Sequence, residues 1–240
     1  ADSATVHAVI GMGGVGKTSL AKKISHIVSN IFAGGVFWAS LSDVAGHATI
    51  ILRTWLAICG DDLTDTSSDA TDIAGYVRSV ITNHVNGTGR ALFVIDDVQE
   101  RWLDTAKIII DAIPPNCPVL ITTRNQEIAR TLNAVVYNLN ELSSSESFEL
   151  LSMFVGEKLA NQEANTLHAL LQELGYLPLA IELAGKRIAI EVQKPSFSVH
   201  LFLNTFRTHG PTKLALKGQS GLAATFSITY DALSSHVQST

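Results

Sequence analysis

Residues 11–18 read Gly11-Met12-Gly13-Gly14-Val15-Gly16-Lys17-Thr18 and fit the pattern G-x-x-x-x-G-K-[ST] at every fixed position. The glycines of this pattern let backbone N–H groups curl around an anion, because no Cβ stands in the way. The Lys17 side chain can reach β- and γ-phosphates, and the Thr18 hydroxyl can ligate Mg²⁺. The segment predicts binding of a nucleoside triphosphate or diphosphate. The expected ligand residues are Gly11, Gly13, Gly14, Val15, Gly16, Lys17, Thr18 and Ser19.

A pair of acids follows an apolar run about eighty residues later. Residues 91–95 are Ala-Leu-Phe-Val-Ile, and Asp96 and Asp97 come directly after them. An acid at the end of a buried parallel strand lies at the carboxyl edge of the sheet, where ligands bind in open α/β folds. We expect Asp96 to hold Mg²⁺, mostly through water, and Asp97 to orient or deprotonate an attacking water. A turn or helix cap after the strand is the alternative.

A cation follows the next apolar run. Residues 118–123 read Pro-Val-Leu-Ile-Thr-Thr, and Arg124 comes next. An arginine there faces the same crevice and can pair with a γ-phosphate, so that its pairing would report whether the third phosphate is present. By itself, the position of Arg124 fits a surface salt bridge better.

The elements that must position these residues alternate along the first 140 residues. Apolar runs at 5–10, 35–41, 91–96, 118–123 and 134–139 predict strands, and several are almost continuously apolar, as in parallel strands covered on both faces. Helices are expected near 17–30, 46–59, 69–85, 103–112 and 125–131. Strand and helix in alternation predict an α/β fold with a doubly wound, parallel, five-stranded sheet. Between them, residues 61–69 are polar and predict a solvated loop, with Ser68 or Asp69 as a helix cap.

After about residue 140 the pattern becomes helical. The sequence Ser143-Ser144-Ser145-Glu146 is a capping box that opens a helix to about residue 155. Further helices are expected over 161–174, from Pro178, which suits a first turn, and over 196–207. The predicted domains are therefore 1–140, a helical bundle over 141–212, and the start of a third domain at 213–240.

Composition limits the remaining classes of function. The chain of 240 residues is 46% hydrophobic and carries a formal charge of −5, which argues against a broad nucleic-acid-binding face. No apolar run approaches the roughly 18–20 residues that span a bilayer. The two cysteines, Cys59 and Cys117, have no zinc-like spacing and are read as reduced thiols in a cytoplasmic protein. Because the chain begins with Ala1, it is expected to be a fragment of a longer protein.

Four motifs in this order and spacing resemble the NB-ARC family, the signal-transduction ATPases with numerous domains. The resemblance covers essentially the whole chain, and the four together are highly specific. They are the loop at 11–18, the segment Leu92-Phe93-Val94-Ile95-Asp96-Asp97-Val98, the segment Leu120-Ile121-Thr122-Thr123-Arg124, and the segment Gly175-Tyr176-Leu177-Pro178-Leu179-Ala180.

The resemblance implies a role for each matching residue. Asp96 would serve Mg²⁺, Arg124 would sense the γ-phosphate, and Pro178 would pack on adenine. The family implies slow, Mg²⁺-dependent ATP hydrolysis with Lys17, Asp97 and Arg124 as its catalytic residues. It also implies a switch between a closed, ADP-bound monomer and an ATP-bound homo-oligomer of the full-length protein. Residues 226–233 resemble the opening helix of the family's winged-helix domain.

Three departures from the family pattern bear on these expectations. Tyr176 stands where many members have a second glycine, which should alter that turn slightly and leave Pro178 in place. The family's methionine-histidine-aspartate element and the upstream segment that contacts adenine are not found in the chain. The autoinhibitory lock is therefore expected to be incomplete.

Two other functions stay open at this point. A scaffold that binds nucleotide without cleaving it would keep the same loop, although intact Lys17, Thr18, Asp96 and Asp97 argue against it. A metabolic kinase with a small-molecule acceptor would share the loop and the sheet. It would not explain Arg124 or the Leu177-Pro178-Leu179 element in a trailing helical bundle.

Overall fold

A computed structural model describes residues 4–61 and 70–210 of the chain. Its first part is a sheet of five parallel strands in the order β2-β3-β4-β1-β5. The strands are β1 (Val6–Ile10), β2 (Val36–Ser40), β3 (Leu92–Val98), β4 (Val119–Thr123) and β5 (Val135–Asn138). The predicted doubly wound parallel sheet is confirmed.

Five helices connect and flank these strands. They are α1 (Lys17–Val28), α2 (Ala48–Ile58), α3 (Ala70–Thr88), α4 (Leu103–Asp111) and α5 (Gln126–Thr131). Each begins and ends within a few residues of its predicted bounds, because the helical spacing of apolar residues marks these segments clearly.

Side chains of the strands alternate between two apolar layers. On one face, Phe37 and Phe93 pack with Trp55 of α2, and all three are almost fully buried. On the other face, Val9, Val94 and Leu120 pack with Ala21 of α1. Because both faces of the central strands are covered, β3 and β4 read as apolar runs.

Strand β5 does not share this burial. It pairs with β1 on one side only and lies at the edge of the sheet, and all four of its residues are exposed. Its apolar sequence therefore reflects strand propensity at an edge instead of a place in the core.

The second part of the described chain is helical. Its helices are α6 (Ser144–Val155), α7 (Glu157–Gln162), α8 (Ala164–Glu173), α9 (Pro178–Glu191) and α10 (Val199–His209). The helix expected over 161–174 is α8, which begins only at Ala164 because Glu163, with φ of −114°, interrupts the helical backbone. Helix α7 was not predicted; it follows Gly156, whose φ of 86° ends α6.

The ends of two helices follow their predicted chemistry. The Ser143 hydroxyl accepts a hydrogen bond from the Glu146 N–H, and the Glu146 carboxylate accepts one from the Ser143 N–H, which is a complete capping box. Pro178 is the first residue of α9. Tyr176 has φ of 55°, in the left-handed region that favours glycine, which explains why a glycine suits this position.

The contacts divide the chain into two compact units, Ala1–Gly11 with Lys17–Leu139 and Met12–Gly16 with Asn140–Thr240. The predicted domain limits of 1–140, 141–212 and 213–240 stay predictions. The proposed cap at Ser68 or Asp69 and the predicted winged-helix segment lie outside the described residues. Among the described helices, none is long and apolar enough to cross a membrane.

Candidate functional site

The glycine-rich loop lies between the end of β1 and the first residue of α1. Gly14 and Gly16 have φ of 79° and 103°, in the left-handed region where only glycine is free of strain. Helix α1 begins at Lys17, so the loop leads into the positive end of a helix. The backbone therefore has the strand–loop–helix form that holds phosphates in nucleotide-binding proteins.

Lys17 lies at the start of α1 with 8% of its surface exposed. Its Nζ donates a hydrogen bond to the carbonyl oxygen of Gly11 at 2.8 Å. Burial, together with the positive charge of Arg124, lowers the pKa of Lys17 to about 8, while Asp97 and Asp96 act in the opposite direction. The lysine thus stands among charged groups of both signs.

The acid Asp96 lies beside Thr18. The Thr18 hydroxyl donates to the two carboxylate oxygens of Asp96 at 2.9 and 3.0 Å. Asp96 is the fifth residue of β3 and is 6% exposed, so its carboxylate is held in a protein environment rather than in solvent. The strand end and the helix start therefore bring these two side chains together across 78 residues of sequence.

The pair of Thr18 and Asp96 fits magnesium. Both supply oxygen ligands, which Mg²⁺ prefers, and protein magnesium sites often use one or two carboxylates with waters and substrate phosphates. Within residues 4–61 and 70–210, no group of three or more His, Cys, Asp and Glu side chains could hold a metal. Thr18 and Asp96 supply two oxygen ligands, so the other ligands of a magnesium ion here would be waters and phosphate oxygens.

The second acid, Asp97, occupies an unusual backbone position. Strand β3 pairs with β4 at Ile95–Ile121 and again at Val98–Thr123, so that two residues of β3 oppose Thr122 alone. This β-bulge gives Asp97 a φ of 57°. Its N–H donates to the Thr122 hydroxyl at 2.9 Å, and its carboxylate accepts a bond from the Gln99 amide at 2.6 Å.

Arg124 is the first residue after β4 and is exposed. Among the described residues it forms no hydrogen bond or ion pair, so the surface salt bridge that its position alone favours is not found there. Its charge nevertheless reaches Lys17, whose pKa it lowers. Arg124 is therefore coupled electrostatically to the lysine of the loop.

Pro178 belongs to the second unit, where it is half-buried at the start of α9. In the same unit, the N–H of Leu179 donates to the carbonyl oxygen of Gly14 at 3.1 Å. The other predicted ligands lie along the loop and the first turn of α1: Gly13 and Val15 are buried, and Ser19 is exposed. Their contacts with a nucleotide stay predictions.

Two polar residues of this region are absent from the expected site. The Thr122 hydroxyl, in a residue that is 1% exposed, bonds to the Asp96 carboxylate and the Asp97 N–H, and the Gln99 amide bonds to the Asp97 carboxylate. A signal for Thr122 existed in the sequence, because a hydroxyl in an otherwise apolar, buried strand needs a hydrogen-bond partner. The sequence does not say which partner it finds.

Both cysteines of the chain are unpaired. Burial raises the pKa of the Cys59 and Cys117 thiols, so both are poor nucleophiles at neutral pH. Neither belongs to the group formed by Lys17, Thr18 and the two acids.

Comparison with known proteins adds a family match. The family model described as the NB-ARC domain matches residues 1–161. The regulatory protein AfsR of Streptomyces griseus is 27% identical over 77% of this chain and 18% of its own length. The probable disease resistance RPP8-like protein 2 of Arabidopsis thaliana is 27% identical over 92% of this chain and 24% of its own length. The chain thus spans about a fifth of the length of these curated relatives.

Solved structures with a similar fold include two archaeal proteins. One is a signal transduction ATPase with numerous domains and a tetratricopeptide repeat sensor from Pyrococcus horikoshii, with a TM-score of 0.50 and 19% identity over 89% of this chain and 31% of that chain. The other is Cdc6p from Pyrobaculum aerophilum, with a TM-score of 0.56 and 11% identity over 80% of this chain and 57% of that chain. At these identities the likeness concerns the fold.

Proposed function

The chain belongs to the NB-ARC family, and from this premise we propose that it is the adenine-nucleotide switch of a longer signalling ATPase. One observation carries the proposal. Lys17, Thr18 and Asp96 meet at the start of α1, and Arg124 stands close enough to lower the pKa of Lys17. Two cationic side chains, a hydroxyl and a carboxylate suit a phosphate chain with Mg²⁺ better than an apolar ligand.

The first step is binding of the phosphates. The loop N–H groups and the N-terminus of α1 hold the α- and β-phosphates. Lys17 exchanges its hydrogen bond to the Gly11 carbonyl oxygen for bonds to phosphate oxygens. Thr18 and Asp96 would hold the magnesium ion, which when bound neutralises charge on the β- and γ-phosphates. We further propose that Pro178 packs on the adenine, as the family motif implies.

Discrimination between ATP and ADP is assigned to Arg124. A nucleotide can shift a conformational equilibrium only by binding one state more tightly than the other. Arg124 gains a bidentate partner when a γ-phosphate is present and has none when it is absent. We propose that this difference favours a closed, ADP-bound monomer and an ATP-bound homo-oligomer of the full-length protein, with slow hydrolysis as the reset.

Hydrolysis would use Asp97 to orient or deprotonate water, with Lys17 and Arg124 stabilising charge on the transferred phosphate. We place this protein in the cytoplasm, where its two unpaired cysteines would stay reduced.

The experiment that tests the proposal compares ATP and ADP binding by Arg124→Gln with binding by the unchanged chain. We expect affinity for a non-hydrolysable ATP analogue to fall about ten- to a hundredfold, the size of a lost hydrogen bond to a charged group, and ADP affinity to change little. Titration calorimetry in excess Mg²⁺ measures both.

Arg130→Gln is the matched control, because Arg130 is also exposed and lies on α5 in an ion pair with Glu127. It should leave both affinities unchanged. Equal loss of ATP and ADP affinity in Arg124→Gln would contradict a γ-phosphate sensor.

A scaffold that binds nucleotide without cleaving it is the second candidate, because one specific contact favours it. The Asp97 carboxylate already accepts a short hydrogen bond from Gln99, which competes with a water for the same oxygen. ATP turnover by the unchanged chain, measured against Asp97→Asn, separates the two. Turnover that Asp97→Asn removes supports hydrolysis, and the absence of turnover in both supports the scaffold.

A further inference from the structure

We infer that Thr122 is a positioning residue of the magnesium–nucleotide site, because its one hydroxyl sets the geometry of both acids. The inference rests on the proposed function, since it concerns how Asp96 is presented to the metal. Thr122 would touch neither the nucleotide nor the ion and would act through Asp96 and Asp97.

The first observation is the pair of hydrogen bonds at the Thr122 hydroxyl. It donates to Asp96 Oδ1 at 2.6 Å and accepts from the Asp97 N–H at 2.9 Å. The directions are unambiguous, because a backbone N–H can only donate and an ionised carboxylate can only accept. The single proton of the hydroxyl is therefore committed to Asp96.

The second observation is the bulge that makes this arrangement necessary. Asp96 and Asp97 together oppose Thr122, so the Asp97 N–H leaves the regular ladder between β3 and β4. An N–H without a partner at a buried strand is unfavourable, and the threonine hydroxyl takes the place of the missing carbonyl. One atom, the Thr122 hydroxyl oxygen, thus serves both acids: it donates to the Asp96 carboxylate and accepts the Asp97 N–H that the bulge leaves without a partner in the ladder.

The consequence for metal binding concerns the two oxygens of Asp96. Thr122 holds Oδ1 with a short bond, while Thr18 shares its proton between Oδ1 at 2.9 Å and Oδ2 at 3.0 Å. Thr18 has to turn its oxygen towards the ion to act as a ligand. If it does, the Thr122 bond would still fix the carboxylate through Oδ1, and Oδ2 would no longer accept a hydrogen bond from Thr18.

The neighbouring threonine offers a matched control. Thr123 is also buried in β4, at 0% exposure against 1% for Thr122. Its hydroxyl likewise makes two bonds, donating to Val98 O at 2.7 Å and accepting from the Asn125 N–H at 3.1 Å. Neither of its partners is an acid, so loss of this hydroxyl should affect stability without affecting the presentation of Asp96.

The experiment measures ADP affinity of the 240-residue chain in excess Mg²⁺ and in EDTA, using a fluorescent ADP analogue. The ratio of the affinity in Mg²⁺ to the affinity in EDTA gives the contribution of the metal to ADP binding. Thr122→Val should reduce this ratio about tenfold or more, as is typical when a residue that orients a metal ligand is lost, and should keep the affinity in EDTA. Thr122→Ser, which keeps the hydroxyl, should restore the ratio, and Thr123→Val should leave it unchanged.

Thermal unfolding of each variant without nucleotide gives the stability baseline, and Thr122→Ala serves as a second variant without a hydroxyl if Thr122→Val does not fold. An unchanged ratio in the variants without the hydroxyl would overturn the inference. An equal loss in Thr123→Val would overturn it as well, because it would show a general structural effect.

ADP binding by the unchanged chain distinguishes failure of the proposed function from failure of this inference. If the unchanged chain binds ADP neither with Mg²⁺ nor in EDTA, both the proposed function and this inference are wrong. If it binds ADP but the affinity does not respond to Mg²⁺, nucleotide binding stands and the positioning role of Thr122 is wrong.

Discussion

At Lys17, two physical effects act on one ammonium group in the same direction. Burial penalises the charged form, and the nearby guanidinium of Arg124 repels it, so the pKa falls from 10.5 to about 8. The negative charge of nucleotide phosphates would oppose both effects on the pKa, so the lysine is poised to gain a proton when the site fills. The loop motif identifies the lysine, but only its surroundings determine this property.

We predict that nucleotide affinity falls about tenfold between pH 7 and pH 9. The protonated lysine binds phosphate, and with a pKa of about 8 most of the free protein holds that proton at pH 7 and little of it does at pH 9. Binding above pH 8 should therefore take up a proton. Calorimetry in buffers of different ionisation enthalpy measures both effects.

Two variants test the assignment to Lys17. Lys17→Arg keeps its charge across this range, so its affinity should change little with pH. Lys22→Ala, at an exposed position of the same helix, should keep the tenfold decrease. A flat pH profile of the unchanged chain would contradict the prediction.

The same pKa has a consequence for stability without nucleotide. The folded chain has the lower Lys17 pKa, so between about pH 8 and 10.5 the unfolded chain binds more protons at this residue. The contribution of Lys17 to the free energy of unfolding therefore rises with pH over that range. It is least favourable below pH 8, where the buried ammonium is charged.

At the scale of elements, helix α9 shows how one small residue sets a close approach. Gly185 is buried in the middle of α9, and a Cβ placed on it would lie 2.6 Å from the Cβ of Phe154 in α6. Because a Cβ cannot move without its backbone, the two helices can approach this closely only with glycine at this position. In contrast, Gly75 of α3 is exposed and a Cβ there would meet nothing within 4 Å.

We predict opposite effects of alanine at these two glycines. Gly185→Ala should lower the free energy of unfolding by about 1–3 kcal/mol, as is typical of overpacking, despite the better helix propensity of alanine. Gly75→Ala should raise it by up to about 1 kcal/mol through helix propensity alone. Urea unfolding, with hydrogen exchange at amides of α6 and α9, measures both.

The exchange data decide whether the effect is local. Reduced protection of α6 and α9 in Gly185→Ala, with unchanged protection of the sheet, agrees with a clash at Phe154. Stabilisation by Gly185→Ala would contradict the close approach of the two helices.

At the scale of the whole molecule, the phosphate loop is divided between the two compact units. Met12–Gly16 counts with the helical unit and Lys17 with the sheet unit. Within the helical unit, the Leu179 N–H donates to the carbonyl oxygen of Gly14 at 3.1 Å.

We predict that the full-length protein changes its assembly with the nucleotide. With ADP it should sediment as a monomer, and with a non-hydrolysable ATP analogue it should form a homo-oligomer, because Arg124 gives the two nucleotides different affinities for the two states. Analytical ultracentrifugation measures the size distribution. Arg124→Gln should reduce the ATP-dependent assembly, and identical distributions with both nucleotides in the unchanged protein would rule out the switch.

Much of the fold follows from local pattern. Strand and helix positions, the capping box at Ser143 and the place of Pro178 could all be predicted, because periodicity and cap chemistry depend on residues close in sequence. The phosphate loop is also a local pattern, since Gly14 and Gly16 have positive φ values that only glycine adopts freely. The edge position of β5 was not predictable in this way, because strand order depends on contacts along the whole chain.

The tertiary structure alone decided how the acids are held. Thr122 meets Asp96 across 26 residues only because β4 lies next to β3, and it accepts the Asp97 N–H only because a bulge sets two residues against one. Neither the neighbouring strand nor the bulge is encoded in the local pattern around Asp96. By itself, the sequence predicted a phosphate loop, and it predicted an acid and an arginine at the ends of two parallel strands. Their electrostatic coupling and their positioning contacts arise from packing between strands far apart in the chain.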